Sequence, residues 1–238
     1  MNPTEPPKKD QFEPTTEAML SRESWRIFQI MAEFVRGFEL MANVRPSVSV
    51  FGSSRLNEKS RWYPMTVEIS RQLSDAGFSI VSGGGPGIME AANRGGQAGA
   101  STSVGLNIYL PKEQASNPFQ DLSLRFQHFF ARKVMFVKYA SAYVIMPGGF
   151  GTLDELAEIL TLIQTGKGRR IPVILVGTEY WQGLIEWMKK TMLAEGAISP
   201  EDLDIFKILD DPDEVAATIV TCCADTASFT EDALQLDL

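Results

Sequence analysis

The residues best suited to chemistry in this 238-residue chain stand together in Pro147-Gly148-Gly149-Phe150-Gly151-Thr152-Leu153-Asp154-Glu155. A glycine-rich turn lets backbone N–H groups converge on one spot, and a helix starting there adds a dipole that favours negative charge. Such a turn is an anion site, most often for phosphate. Glu155 adds an ionisable carboxylate one turn further on. A phosphate cradle with an acid beside it suits chemistry on a phosphorylated small molecule. The loop is not a Walker A, because no Gly-Lys-Ser/Thr follows its glycines, and the spacing of the dinucleotide fingerprint fails. A second glycine turn runs Ser82-Gly83-Gly84-Gly85-Pro86-Gly87-Ile88-Met89-Glu90. There the fingerprint fails too, with Ile88 where its third glycine should stand.

Both turns need a strand before them and a helix after them, and the apolar pattern supplies both. Strands are expected near Ser47–Phe51, Phe78–Ser82, Ser103–Ile108, Ala142–Met146, Ile171–Val176 and Ile205–Ile208. Helices are expected near Trp62–Ala76, Ile88–Gly95, Phe130–Tyr139, Thr152–Thr165, Tyr180–Glu195 and Pro212–Cys222. Apolar strands that barely alternate, separated by helices, indicate a parallel sheet covered on both faces. The expectation is an α/β chain with a single doubly wound, Rossmann-like parallel sheet. Before the first strand, Ile27, Ile30, Met31, Phe34, Val35, Phe38 and Met41 recur at helical spacing, an added N-terminal helix that could cover the sheet or a partner subunit. Residues 1–15, with four prolines, read as a disordered arm, residues 16–224 as the domain, and residues 225–238 as an acidic flexible tail. In such folds ligands bind at the carboxyl ends of the strands. The turns Gly52-Ser53-Ser54, Gly83-Gly84-Gly85 and Gly148-Gly149 should therefore gather on one edge, where one ligand could touch all three.

These residues carry a resemblance. The chain resembles the LOG family, the cytokinin-activating phosphoribohydrolases and related bacterial nucleotide 5'-monophosphate nucleosidases, many once labelled possible lysine decarboxylases. The family pattern PGGxGTxxE is met by Pro147 to Glu155, its Arg-Lys pair by Arg132-Lys133, and its first glycine loop by Gly83 to Glu90. The resemblance spans roughly residues 46 to 222. Plant members carry a Met-His-Glu-Arg-Lys type run where this chain has His128-Phe129-Phe130-Ala131-Arg132-Lys133, which leaves the base open: AMP, a cytokinin nucleotide or a wider set. The resemblance implies hydrolysis of the N-glycosidic bond of a nucleoside 5'-monophosphate, with Arg132 and Glu155 catalytic. Substrate contacts would come from Gly84, Gly85, Glu90, Arg132, Lys133, Gly148, Gly149, Gly151 and Thr152, with Ser53 and Glu113 as further candidates. It also implies no cofactor, and a homodimer or larger assembly with sites near the subunit interface.

Each of these residues has a plainer reading. Thr152-x-x-Glu155 fits a capping box, in which the glutamate merely closes the helix start. A useful Glu155 should lean toward the sugar, where it could stabilise an oxocarbenium-like centre or position water. Arginine rarely loses its proton, so Arg132 suits electrostatic stabilisation and orientation. Glu90 could bond ribose hydroxyls or simply favour a helix start. His128 is the chain's one histidine, which excludes a Ser-His-Asp triad elsewhere. No spacing of His, Cys and carboxylates suggests a metal. A lysine decarboxylase would need a cofactor aldehyde held by a lysine in a dedicated pocket, and nothing supplies that signature. A different class of function is a non-catalytic carrier of a phosphorylated ligand, since molybdenum-cofactor carrier proteins look similar in fold.

Bulk properties narrow the setting. A formal charge of −8 argues against nucleic acid or an anionic membrane as partner, while leaving room for phosphate at a helix terminus. No apolar run approaches membrane-spanning length, and the first residues have no signal-peptide core. Cys222 and Cys223 are adjacent and cannot staple a fold, so a reducing cytoplasm fits best.

Overall fold

In the computed structural model residues 17–110 and 115–226 are described. The strands are β1 (Ser47–Phe51), β2 (Ser79–Ser82), β3 (Ser103–Ile108), β4 (Leu122–Phe126), β5 (Ala140–Ile145), β6 (Val173–Val176) and β7 (Lys207–Leu209). They form one seven-stranded sheet in the order β4-β3-β2-β1-β5-β6-β7, and every pairing is parallel. The order reverses between β1 and β5, whose registers match Val50 with Val144 and Phe51 with Ile145. That is the switch point at which ligands bind in open α/β sheets.

The helices are α1 (Glu17–Met41), α2 (Trp62–Asp75), α3 (Ile88–Ala98), α4 (Phe129–Tyr139), α5 (Phe150–Gln164), α6 (Thr178–Trp187) and α7 (Pro212–Thr226). Strand residues alternate between two apolar layers, as the two-residue period of a strand requires. Val48, Val50, Ala142, Val144 and Met146 pack with Ile69 and Leu73 of α2, Ile88 and Ala92 of α3, and Val215 and Ile219 of α7. Phe51, Tyr143 and Ile145 pack on the other face with Met135 and Phe136 of α4, Leu156 and Ile159 of α5, and Trp181 of α6. Helices on both faces make the sheet doubly wound. Two buried serines tie β1 to α4, Ser49 Oγ donating to Phe136 O at 3.2 Å and Ser47 Oγ to Tyr139 O at 2.8 Å.

α1 lies against α4 from outside the sheet, with Phe34 and Met41 on the core and Phe38 tilted against Tyr139. Its other side leaves Phe28, Met31 and Val35 exposed.

Three expectations need correction. The sequence reading has no strand between Ile108 and α4, yet β4 is there. Leu124 and Phe126 point inward while Ser123 and Arg125 point out, the alternation of a half-covered edge strand. The helix expected over Tyr180–Glu195 ends at Trp187 and passes into a π-helical turn, Met188–Met192. α7 continues to Thr226, two residues into the segment read as a tail. The expected arm and the rest of that tail lie outside the described residues. Among the described residues no helix is long and apolar enough to cross a membrane.

Candidate active site

The carboxyl ends of β1, β2 and β5 open into one cleft. Its larger hollow, about 700 Å³, is walled by Gly52 to Arg55 after β1, by Gly148 to Glu155 after β5, and by Phe129, Arg132 and Phe136 of α4. A smaller hollow of about 230 Å³ joins it through Ser54, Gly83, Met89, Phe129 and Arg132, and is closed by Gly85, Asn107, Tyr109, Ser116 and Arg125.

α5 begins two residues earlier than the apolar pattern suggested, at Phe150, with Gly149 as its N-cap. This excludes the capping box: Thr152 is inside the first turn and Glu155 sits beyond it, on the helix body. No side chain caps the helix and its first turn holds no acid, so the leading N–H groups and the dipole are left for an external anion. Thr152 N and Leu153 N both bond Gly149 O at 3.0 Å. Gly148 cannot be replaced freely, because a Cβ there would run into Thr152 Oγ1 and crowd Ser53 N at 3.0 Å. Tyr180 of α6 donates its hydroxyl to Gly148 O at 2.6 Å, which holds that carbonyl and fixes the turn.

The second glycine turn is built differently. α3 is also uncapped by a side chain, but its first turn contains Glu90, which opposes an anion there. Gly84 has a left-handed φ of +72° and sits on Asn107. The carbonyl oxygens of this turn are held from behind: Gly84 O accepts from Asn117 N at 2.9 Å and from Gln120 Nε2 at 2.8 Å, and Gly85 O from Asn117 Nδ2 at 3.0 Å. Of the two turns, the start of α5 is the better phosphate site.

Glu155 and Arg132 meet across the larger hollow. Arg132 Nη2 is 3.9 Å from Glu155 Oε1, close enough for charge attraction and too far for a hydrogen bond. Both side chains are largely buried. Burial raises the Glu155 carboxyl from an ordinary 4.5 to about 7, against the pull of Arg132 and Lys133. Burial also lowers the Arg132 guanidinium, which Glu155 and Asp154 partly offset. The guanidinium lies over the rings of Phe129 and Phe136, at 5.7 and 5.4 Å, and its buried Nε has no hydrogen-bond partner. An acid poised near neutral pH beside an arginine with an unused donor is a reactive arrangement.

Ser53, Gly148, Gly149, Gly151 and Thr152 line the larger hollow with this pair, and Gly85 lines the smaller one. Three expected contacts are placed elsewhere. Lys133 points between α4 and α5, 2.8 Å from Asp154 Oδ2 and 2.9 Å from Glu158 Oε2. Glu90 accepts a 2.8 Å hydrogen bond from Tyr63 of α2 and is part of neither wall. Gly84 is turned onto Asn107 rather than into the cleft. Glu113 lies outside the described residues. His128 rests 3.3 Å from Glu33 on α1 and beside Phe130, a packing role. Among the described residues no group of three or more His, Cys, Asp or Glu could hold a metal ion.

Sequence reasoning missed Arg55, Asn107, Arg125, Phe129 and Tyr180. Arg125 and Asn107 are brought in by β4 pairing with β3, where they stand opposite each other. Asn107 stood on an expected strand, whereas Arg125 had no position without β4. Phe129 could have been found, because it lies in the run that departs from the plant pattern.

Comparison with known proteins agrees with this architecture. The model of a family described as possible lysine decarboxylase matches residues 89–219, a little over half of the chain. A probable cytokinin riboside 5'-monophosphate phosphoribohydrolase of Oryza sativa subsp. japonica is 30% identical over 158 residues, 64% of this chain and 63% of that protein. A cytokinin riboside 5'-monophosphate phosphoribohydrolase of Arabidopsis thaliana is 27% identical over 176 residues, 72% of this chain and 80% of that protein. Among solved structures, the molybdenum cofactor carrier protein of Chlamydomonas reinhardtii superposes with a TM-score of 0.54 at 19% identity, over 75% of this chain and 98% of the carrier. That last likeness is one of fold.

Proposed function

The chain belongs to the family described as possible lysine decarboxylase, and from that premise we propose that it hydrolyses the N-glycosidic bond of a nucleoside 5'-monophosphate. The products are the free base and ribose 5-phosphate. The observation that carries this reading is the Arg132–Glu155 pair, 3.9 Å apart, on the same cleft as the uncapped start of α5. Phosphate would take the N–H groups of the first turn. Glu155 stands four residues beyond Gly151, about 6 Å along the helix at 1.5 Å per residue, which leaves room for a sugar between the two charges. Binding energy from the phosphate then holds the anomeric carbon near the carboxylate.

In the reaction the bond between the anomeric carbon and the base nitrogen breaks, and its electron pair leaves with the base. Ionised Glu155 faces the positive charge that develops on the sugar and takes a proton from the attacking water, whose oxygen bonds to the anomeric carbon, and that proton then passes to the departing base nitrogen. Arg132 stays charged and orients the carboxylate and the ligand. The base would occupy the smaller hollow, with Asn107 and Arg125 as polar partners. The relatives' activity supports a cytokinin nucleotide as one substrate, and the Phe129 wall suits an apolar substituent on a base. Lysine decarboxylation finds no support: no lysine lines either hollow among the described residues, and Lys133 is held by two carboxylates.

The fold shared with molybdenum-cofactor carriers supports a second reading, capture of a phosphorylated ligand without chemistry. Chromatography of AMP and adenosine incubated with the protein separates the two. We expect adenine from AMP and far less from adenosine. No adenine, with AMP bound intact, would favour the carrier, and equal cleavage of both would remove the phosphate cradle from the argument. Self-association belongs to the same proposal, supported by the exposed Phe28, Met31 and Val35 on α1.

A further inference from the structure

Arg132 and Lys133 are neighbours on α4, yet they serve different surroundings. Arg132 lines both hollows and Lys133 lines neither. The Lys133 ammonium reaches across to α5 and makes two ion contacts, 2.8 Å to Asp154 Oδ2 and 2.9 Å to Glu158 Oε2. Those carboxylates bracket Glu155, one just before it and one almost a turn after it. The lysine side chain is only 17% exposed and Glu158 33%, so their contact is less screened than a surface ion pair, while Asp154 is more open to solvent. Burial pushes its ammonium down, the two carboxylates push it up further, and the net effect is upward.

We infer that Lys133 is a positioning residue: it clamps α4 to α5 so that Arg132 and Glu155 meet in the cleft, and it offsets part of the charge of the two carboxylates flanking Glu155. The inference rests on Glu155 being the reacting acid, and it removes Lys133 from the substrate contacts. Geometry and charge act together. One bridge anchors the residue beside Arg132 to the residue beside Glu155, so a slip between the helices would change the 3.9 Å separation of the pair. The charged groups acting on Glu155 are Arg132 and Lys133 from α4 and Asp154 and Glu158 from α5, and Glu155 in turn raises the neighbouring Tyr143 of β5. The two cations favour its ionised form, and Asp154 and Glu158 oppose it. Removing Lys133 takes away one attraction and unmasks both repulsions. All three changes favour the protonated acid.

The test uses the full chain and two variants, Lys133→Met, which keeps the apolar stem, and Lys133→Arg, which keeps the charge. Titration of Glu155 is followed by carbon NMR in protein labelled with carboxyl-¹³C glutamate, with Glu155→Gln to assign the signal. Binding of inorganic phosphate is measured by calorimetry, and AMP hydrolysis by release of adenine. Lys133→Met should raise the Glu155 midpoint by roughly one pH unit, the scale of a close charge removed. At pH 7 kcat should fall about fivefold, as the ionised fraction drops from one half to about one tenth. KM for AMP and the affinity for phosphate should stay within about twofold, and Lys133→Arg should restore most of the loss.

A Lys133→Met protein that weakens phosphate binding about tenfold and leaves the Glu155 midpoint in place would overturn the inference, making Lys133 a ligand contact. So would a variant that changes nothing. Should Lys133→Met fail to fold, Glu158→Gln in the parent chain keeps the lysine and removes one repulsion. The Glu155 midpoint must then move down, and a fixed midpoint overturns the inference. A parent protein that releases no base from AMP would defeat the proposed hydrolysis, while the NMR titration would still decide the clamp.

Discussion

Replacing Glu155 by glutamine should make the protein more stable and less active at once. The carboxyl is buried, and its folded value is raised from 4.5 to about 7. An acid raised in the folded state costs nothing below its unfolded value, where both states are protonated. The cost grows between pH 4.5 and 7 and is complete above 7, because ionisation is then easier in the unfolded chain. A rise of this size corresponds to about 3 kcal/mol, at 1.4 kcal/mol per pH unit. Glutamine never ionises, so the stability difference between Glu155→Gln and the parent should widen by about 3 kcal/mol from pH 4.5 to pH 8. For a domain of this size that is a relative gain of about 6–12 °C in melting temperature. Calorimetric melts of both proteins at the two pH values provide the measurement. The capping box does not complicate the comparison, because Glu155 lies beyond the first turn of α5. The same variant should lose roughly a hundredfold or more in kcat for AMP, the scale of one proton-transfer or electrostatic group. In the parent, kcat/KM should fall as pH drops through about 7, where Glu155 takes up its proton. A stability difference that does not change with pH would refute the buried, raised carboxyl. Near-parent turnover by a well-folded Glu155→Gln would remove it from the chemistry.

Three further outcomes follow, two from the loop and one from α1. A Cβ at Gly149, whose φ is −91°, meets nothing within 4 Å, so Gly149→Ala should melt like the parent while weakening inorganic phosphate binding; unchanged phosphate affinity would move the anion away from this N-cap. Gly148→Ala must displace Thr152 and should lose about 1–3 kcal/mol of stability together with activity, measured by the same melts. Met31→Glu with Val35→Glu places charge on the exposed side of α1 and should shift sedimentation velocity toward a monomer with the fold intact, whereas an unchanged assembly would show that α1 is not the contact.

The sheet was legible where both of its faces are covered. β1, β2, β3, β5 and β6 are short runs of largely buried residues between helical segments, aliphatic and aromatic side chains mixed with small ones, a pattern that a parallel sheet imposes on sequence. β4 was hidden because an edge strand needs only alternate apolar residues, and Leu122, Leu124 and Phe126 are too few to stand out beside the aromatic run that opens α4. Losing β4 also hid Arg125, which pairing brings opposite Asn107 of β3. Lys133 lies away from the hollows for another reason. Arg132 and Lys133 are consecutive helical residues and point about 100° apart, so they face different surroundings. Which one faces the cleft is decided by Asp154 and Glu158 on the opposing helix.

The capping-box rivalry over Glu155 turned on two residues of helix start. Apolar periodicity cannot register Phe150 as helical, because its ring is 92% exposed and belongs to no buried stripe. Glycine at 149 and 151 further argues against helix by propensity. The chain nevertheless turns helical at Phe150, with Leu153 N and Thr152 N both bonding Gly149 O. Weak helix formers at an uncapped helix start lose stability that a Ser or Asp cap would have provided. That loss has a functional counterpart. A capping side chain would occupy the N–H groups that an anion needs, and an acid in the first turn would repel it. The same placement moves Glu155 from the helix start to its body, far enough from the phosphate site to remain near a sugar rather than against a like charge.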